Sequence, residues 1–188
     1  MRLFLIILIL IFSLQLFTKA DDIREFEIEG ITIGEPLLSH FTKAQIKNSN
    51  KNNYPKSNKF VGVEIRLTNS DQYDFVQIHY DSELIIHSVA GVVFLENIKN
   101  CYSRQQEIKN QLKSLFENYE IFEDTLVHRQ DPSGKSSWTG VEFSLKKGDA
   151  LIHCTDWSKD FERKGYKDSL RIEISTKKFS DFLRYEAY

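Results

Sequence analysis

The sequence has little of several residue types that mark specialised protein classes. Its 188 residues include two cysteines, three prolines and one methionine, and 25 Lys+Arg nearly balance 27 Asp+Glu. Two cysteines are too few for a disulfide-dense miniprotein or a zinc site of four thiolates. A net charge of -2 argues against a dedicated nucleic-acid-binding protein, which would carry a basic face or tail. With 41% hydrophobic residues, the chain is too apolar to be wholly disordered.

Sequence motifs for catalysis and cofactor binding are also missing. The chain contains no Gly-x-Ser-x-Gly nucleophile motif, no His-Glu-x-x-His zinc motif and no Cys-x-x-Cys pair, which are the local signatures of three common chemistries. Neither of the two common glycine-rich phosphate-binding motifs occurs. We therefore expect no cofactor, and the sequence favours a non-catalytic protein over an enzyme.

A secretory signal is predicted over residues 1–20. Arg2 supplies the positive charge, an apolar run extends from Leu3 to Phe12, and Thr18-Lys19-Ala20 places small side chains at positions -3 and -1 of a cleavage site. The continuous apolar run is shorter than the roughly 20 residues that span a bilayer, which favours cleavage, although a retained anchor stays an alternative. No second long apolar run follows, so we expect no transmembrane segment after cleavage.

Cleavage would leave a single domain over residues 21–188. A chain of this length can bury roughly 70% of the surface that is exposed when it is unfolded, so it needs neither a metal nor a disulfide to fold. The signal and the abundance of Lys and Asn, as in KNSNKNNYPKSNK, indicate a periplasmic or secreted bacterial protein. Its partner would be an unknown protein or small ligand of the cell envelope, and not a nucleic acid. No cysteine lies near the cleavage site, so lipid attachment there is not expected.

Hydrophobic periodicity predicts an α+β fold, in which an antiparallel sheet carries two helices on one face. The predicted helices span residues 36–47 and 97–119, with a last short helix over 177–188. Period-2 alternation predicts a short strand over 22–34, a loop over 48–59, and strands over 60–67, 73–80, 84–95, 121–127, 138–145, 150–157 and 169–176, with a turn over 68–72.

A weak internal similarity suggests two related halves, 22–96 and 97–188. Residues 62–67 (GVEIRL) resemble residues 140–145 (GVEFSL), and each segment precedes a strand that holds His79 or His153. The similarity predicts two helix-plus-meander units whose sheets join, but any two amphipathic strands can look alike over six residues. Glu64 and Glu142 occupy equivalent places and most simply mark the solvent face.

Two cysteines are candidates for a disulfide, and three histidines are candidates for metal ligands. Cys101 and Cys154 are predicted to form a disulfide, because an oxidising compartment favours one; two buried free thiols are the alternative. His79, His87 and His153 lie on predicted strands and, with nearby carboxylates, form a candidate zinc or copper site. Scattered histidines on half-exposed strands are the commoner explanation of such spacing.

Aromatic and basic residues are concentrated in the second half of the chain. Trp138, Trp157, Phe161 and Tyr166 lie close to Lys159, Arg163, Lys164 and Lys167. Aromatic and basic side chains in a long connection predict a recognition surface at the four aromatic residues. The alternative is that the aromatic rings belong to the core and the charges line a loop.

Residues 26–38 (FEIEGITIGEPLL) resemble the opening of uncharacterised small exported bacterial proteins. The start Ile31-Thr32-Ile33-Gly34, followed by a helix and a meander, is more loosely similar to envelope modules of the beta-lactamase-inhibitor type and to small outer-membrane assembly lipoproteins. This resemblance implies protein binding without catalysis. The sequence thus predicts a binding or interaction module, with a small periplasmic hydrolase or metal-dependent enzyme as the alternative.

Overall fold

Among the residues that the structure describes, eight antiparallel strands form one sheet in the order β1-β2-β3-β4-β8-β7-β6-β5. The computed structural model describes residues 22–67, 70 and 72–188. The predicted signal peptide and part of the turn predicted over 68–72 therefore lie outside the described residues. The strands are β1 (Asn50–Tyr54), β2 (Ser57–Ile65), β3 (Phe75–Asp81), β4 (Ile86–Phe94), β5 (Glu120–Val127), β6 (Ser137–Leu145), β7 (Gly148–Asp156) and β8 (Ser169–Thr176).

In the described part of the chain four α-helices accompany the sheet: α1 (Lys43–Asn48), α2 (Ile98–Leu115), α3 (Lys159–Glu162) and α4 (Lys177–Tyr185). Side chains cap three of them. Thr42 forms a capping box with Gln45 at the start of α1, Asn97 accepts the Lys99 N–H before α2, and Thr176 accepts the Phe179 N–H before α4. These caps satisfy backbone donors that a helix start leaves without partners, so local sequence determines where the helices begin.

The sheet consists of two four-stranded meanders. Strands β1 to β4 pair in chain order, strands β5 to β8 do the same, and β4 pairs with β8 from Ser88 opposite Ser175 to Phe94 opposite Ser169. Each meander follows a helix, α1 or α2. This order matches the two predicted helix-plus-meander units, while their origin by duplication stays a prediction.

Three predictions at the start of the chain differ from the structure. The helix predicted over 36–47 is a 3-10 turn at Leu37–Ser39, and the α-helix α1 begins only at Lys43. The strand predicted over 22–34 is instead a 3-10 turn at Ile23–Glu25 and one isolated bridge between Ile28 and Ile31. The loop predicted over 48–59 contains β1, which pairs with β2. Polar side chains occupy four of its five positions, Asn-Lys-Asn-Asn, because an edge strand is held by backbone pairing and needs few apolar side chains.

The helices do not all pack on one face of the sheet. Helix α2 lies against β7 and β8, on the face that carries the main core residues such as Ile78, Ile152 and Ile174. Helix α4 covers part of the opposite face, where Phe179 and Phe182 pack on Phe60. We call these the α2 face and the α4 face. The prediction of two helices on one face is therefore too simple, because the amphipathic C-terminal helix buries its apolar side against the other face.

The predicted disulfide between Cys101 and Cys154 is confirmed. It joins α2 to β7, with the two Cα atoms 5.9 Å apart and the two residues 53 positions apart in sequence. Four residues further along α2, the Gln105 amide donates to the carbonyl oxygens of Thr139 (2.9 Å) and Ile152 (3.0 Å). A covalent bond and two hydrogen bonds thus attach the helix to the sheet. None of the helices in the described part of the chain has the length and apolar character needed to cross a membrane.

Candidate functional site

A groove of about 500 Å³ lies on the α4 face, at the end of the sheet that α4 leaves uncovered. Its floor consists of residues from β2, β3, β4, β7 and β8, and its wall is the connection between β7 and β8. Under α4, β3 presents His79 to the ring of Phe179, whereas further back along the same strand Phe75 and Gln77 line the groove. The volume is in the range of small-ligand and peptide-side-chain pockets.

A chain of polar side chains crosses the groove floor from strand to strand. Asn52 and Gln77 both donate to Glu64 at 3.2 Å, and Arg171 donates to the Gln77 oxygen. Arg171 also donates to Glu173 at 3.0 Å. Because every side chain in this hydrogen-bonded row has at least one partner, the network holds the Arg171 guanidinium in one place at the groove floor.

Glu173 and the half-buried Arg171 form an ion pair in the middle of the sheet. Glu173 is buried and also accepts a hydrogen bond from Ser88. Burial opposes ionisation of Glu173, but the charge of Arg171 and the hydrogen bonds from Ser88 and Arg171 outweigh it and lower the pKa of this carboxyl. The pair is therefore charged at neutral pH, with the positive partner facing the groove.

The charged residues that line the groove are predominantly basic. They are Arg66, Lys167 and Arg171 on the positive side and Glu64 on the negative side. The Lys167 ammonium lies 5.4 Å from the centre of the Phe94 ring, so its aliphatic part and charge both border the groove. A groove with this excess of positive charge favours an anionic ligand group.

An aromatic cluster forms the wall of the groove. Trp157 stacks on Phe161, with ring centres 5.3 Å apart, and Tyr166 lies 4.7 Å from Trp157. Trp157 and Tyr166 line the groove, and Tyr166 is 41% exposed. The backbone N–H of Trp157 donates to the Asp168 carboxylate at 2.8 Å, which ties the beginning of the connection to its end. The wall is therefore braced from within while one ring faces outward.

Three of the four predicted binding aromatics, Trp157, Phe161 and Tyr166, come together in this cluster. Trp157 and Phe161 are equally buried, at 9% exposure each, but Phe161 does not line the groove and supports the wall from behind. Trp138 lies apart on β6 and packs against the ring of His153, with centres 5.0 Å apart. Gly140 makes this contact possible, since a Cβ at this position would lie 2.2 Å from the Trp138 ring.

The three histidines of the metal hypothesis lie in three different environments. His79 stacks on Phe179 under α4, His87 contacts Asp81 (3.0 Å) and Thr176 (2.9 Å), and His153 lies in the groove floor. Within residues 22–67, 70 and 72–188 there is no group of three His, Cys, Asp or Glu side chains that could hold a metal ion.

His153 is the histidine that matters for the groove. Its Nδ1 is buried and has no hydrogen-bond partner among the described residues. Burial, together with the charge of Arg171, lowers the pKa of His153 to about 3. The imidazole is therefore neutral at neutral pH and presents one N–H donor and one nitrogen acceptor beside the Arg171 guanidinium.

Stability is expected to fall between pH 7 and pH 6 because the folded protein keeps two histidines neutral: His79, which is buried, and His153, which is half-buried with its Nδ1 enclosed. Burial lowers the pKa of His79 to about 4, and His153 is lowered further, whereas in the unfolded chain both have a pKa near 6.5. Below pH 7 the unfolded chain therefore binds protons that the folded chain does not, and the free energy of unfolding falls as pH falls. The two residues together contribute roughly 1.4 kcal/mol to this loss.

Urea denaturation at pH 7 and pH 6 measures this effect. The double variant His79→Gln/His153→Gln should lose roughly 1.4 kcal/mol less over that interval than the wild type. As an independent check, the NMR signals of both imidazoles should stay in the neutral form at pH 6. Equal losses in the wild type and the variant, or imidazole signals that titrate near pH 6, would show that burial does not suppress their protonation.

Sequence reasoning missed the polar half of the site. Arg171, Glu173 and Gln77 alternate with apolar residues along their strands, a pattern that predicts a solvent-facing side. Glu64 was assigned to the solvent face for the same reason, yet it accepts hydrogen bonds from two other strands. Only the strand order places β8 at the centre of the sheet, where its polar side chains become partly enclosed.

Comparisons with known proteins identify no relative: no protein-family model, no curated protein and no solved structure matches this chain. The class of protein that the fold defines is a mixed α+β chain built on one antiparallel sheet, with a disulfide between helix and sheet.

Proposed function

We propose that this protein is a non-catalytic binding or interaction module of the bacterial periplasm. Its groove would receive part of a protein partner, or a small ligand, that carries an acidic group next to an apolar one. The observation that best supports this proposal is that one groove of about 500 Å³ holds Arg171, Lys167 and the wall formed by Trp157 and Tyr166. Aromatic and arginine side chains are the residue types most enriched where binding energy is concentrated.

The chemistry of the groove supports binding through its charge and its shape. The basic groups match a carboxylate in charge, and an arginine held by its own ion pair loses little conformational entropy when it binds one. The wall supplies flat apolar surface at a similarly low entropic cost.

The cellular location in this proposal has separate support. The disulfide between Cys101 and Cys154 is compatible with an oxidising compartment outside the cytoplasm. The predicted signal over residues 1–20 and the resemblance of residues 26–38 to exported bacterial proteins support the same location. The looser resemblance to protein-binding envelope modules supports a role in recognition.

A photo-crosslinking amino acid at position 166 tests the groove directly. The variant with benzoylphenylalanine in place of Tyr166 is expressed and exported in the bacterium from which the protein comes. Irradiation is then expected to produce one major adduct between the protein and its partner. Adding Lys167→Glu should reduce its yield by about threefold, because the groove loses a positive charge and gains a negative one. Lys43→Glu, an exposed charge reversal at the start of α1, is the matched control and should leave the yield unchanged.

The same crosslinker in place of Tyr185, which is more exposed but lies on α4, controls for chance encounters. Equal adducts from both positions, or a yield indifferent to Lys167→Glu, would contradict the proposal. Turnover of a hydrolase substrate panel that disappears with His153→Gln would instead favour the alternative of a small periplasmic enzyme.

A further inference from the structure

Strand β5 is an exposed sheet edge with apolar side chains on it. It pairs with β6 and is the last strand in the sheet order. Seven large apolar or aromatic side chains are exposed among the described residues, and three of them lie on this one strand: Phe122 (54%), Leu126 (52%) and Val127 (60%). Exposed edges of this kind are normally protected, because their free backbone groups can pair with another strand.

The opposite edge shows what protection looks like in this protein. Strand β1 is short, carries Lys51, has a register irregularity between Asn53 and Tyr54, and is followed directly by Pro55. Each of these features discourages the addition of a strand. Strand β5 has eight residues, pairs with β6 without a register shift from Glu120 to Val127, and contains neither lysine nor proline.

The charges on β5 argue against pairing with a second copy of this chain. In the antiparallel register that pairs all eight residues with their copies, Glu123 would lie opposite Asp124 twice. Like charges directly across a strand pair are destabilising. The acidic pair therefore suits a different partner.

Asp124 indicates the chemistry of that partner. It lies between Phe122 and Leu126 on one face of the strand, and its side chain accepts a hydrogen bond from the Thr125 N–H. Among the ion pairs of the described residues, Glu123 is bound by Lys109 at 2.6 Å, whereas none involves Asp124. The α4 face of β5 thus presents an apolar, an acidic and an apolar side chain in a row.

We propose that β5 accepts an additional antiparallel strand from a partner protein, and that this strand carries apolar, basic and apolar residues at alternate positions. Backbone hydrogen bonds to the free edge would supply affinity, while the basic residue opposite Asp124 and the apolar residues beside Phe122 and Leu126 would supply specificity. This edge is separate from the groove, and the inference stands independently of the proposed function of the groove.

Three blocked peptides test the inference. The first is Thr-Val-Thr-Lys-Thr-Val-Thr, the second has Glu in place of Lys, and the third is the first with alternate backbone nitrogens methylated. The Lys peptide should bind about threefold more tightly than the Glu peptide, and methylation should weaken binding about tenfold, since it removes backbone donors. On binding, hydrogen exchange should slow at the β5 amides.

Charge exchange provides the specificity test. With Asp124→Lys the preference should reverse in favour of the Glu peptide, whereas Asp160→Lys, a reversal at another exposed carboxylate, should keep the wild-type order. Because Asp124 is exposed, circular dichroism should show the variant folded. Tyr166→Ala should leave peptide binding unchanged, which separates this edge from the groove.

Several results would overturn the inference: no binding at millimolar peptide, equal affinity for the Lys and Glu peptides, or undiminished binding of the methylated peptide. Peptide binding that slows hydrogen exchange at other amides but not at those of β5 would overturn it as well. Self-association of the wild-type protein that Asp124→Lys changes would show that the edge serves a second copy of this chain.

Discussion

Replacing Arg171 with Met is expected to lower the free energy of unfolding by about 3–5 kcal/mol. The substitution leaves the carboxylate of Glu173 buried in the sheet with the Ser88 hydroxyl but without a positive partner. Removing one member of a buried pair costs far more than the pair contributes as a whole, because the remaining charge has lost its hydration without compensation. Gln77 also loses the donor to its amide oxygen.

The double variant Arg171→Met/Glu173→Leu tests whether the uncompensated charge of Glu173 causes the loss. It should be considerably more stable than Arg171→Met alone, because no uncompensated charge remains in the sheet. Arg163→Met removes an exposed ion pair with Asp160 and should change stability by less than about 1 kcal/mol. Urea denaturation of the three variants at pH 7 measures these differences. If Arg171→Met costs no more than Arg163→Met, the pair is effectively solvated.

Removing the disulfide with Cys101→Ala/Cys154→Ala is expected to lower the free energy of unfolding by about 4 kcal/mol. The bond spans 53 positions, and in the loop-closure description its loss increases the conformational entropy of the unfolded chain accordingly. Both side chains are fully buried, so two lost sulfur atoms also leave space between α2 and β7. The loss is a large share of the 5–15 kcal/mol that stabilises a typical domain.

Denaturation with and without reductant provides the control for this prediction. The wild-type protein should approach the stability of the variant when reduced, and the variant itself should not respond to reductant. The denaturant dependence should be steeper for the variant, because its unfolded chain exposes more surface. A variant as stable as the oxidised wild type would mean that the two hydrogen bonds of Gln105 and the packing of α2 suffice to hold the helix on the sheet.

Much of the fold follows from local patterns in the sequence. The alternation of apolar residues predicts seven of the eight strands among the described residues to within three residues at every end, and the stripe of apolar residues along 97–119 predicts α2. Most of these elements bury one face, and burial of one face imposes a period on the sequence. Strand β1 was not predicted, because pairing with β2 and not burial keeps it extended.

The site was predicted only in part, for the same physical reason. Trp157, Phe161 and Tyr166 are close in sequence, so one short connection brings them together. Arg171 and Gln77 are 94 positions apart and meet because β3, β4 and β8 are neighbours. Residues that are close in sequence can be expected to cluster, whereas contacts across a sheet depend on strand order.

The sequence by itself determined the types of most elements, the alternation of buried and exposed positions in most strands, and the cysteine pair that an oxidising compartment would join. These are properties of single segments or of a compartment, and they need no knowledge of neighbours. The tertiary structure decided that β4 pairs with β8, that α4 covers the face opposite α2, and that β5 remains at an edge. Burial of a polar side chain such as Glu173 and exposure of an apolar one such as Phe122 both depend on which strand lies beside it, and that is determined only when the whole chain packs.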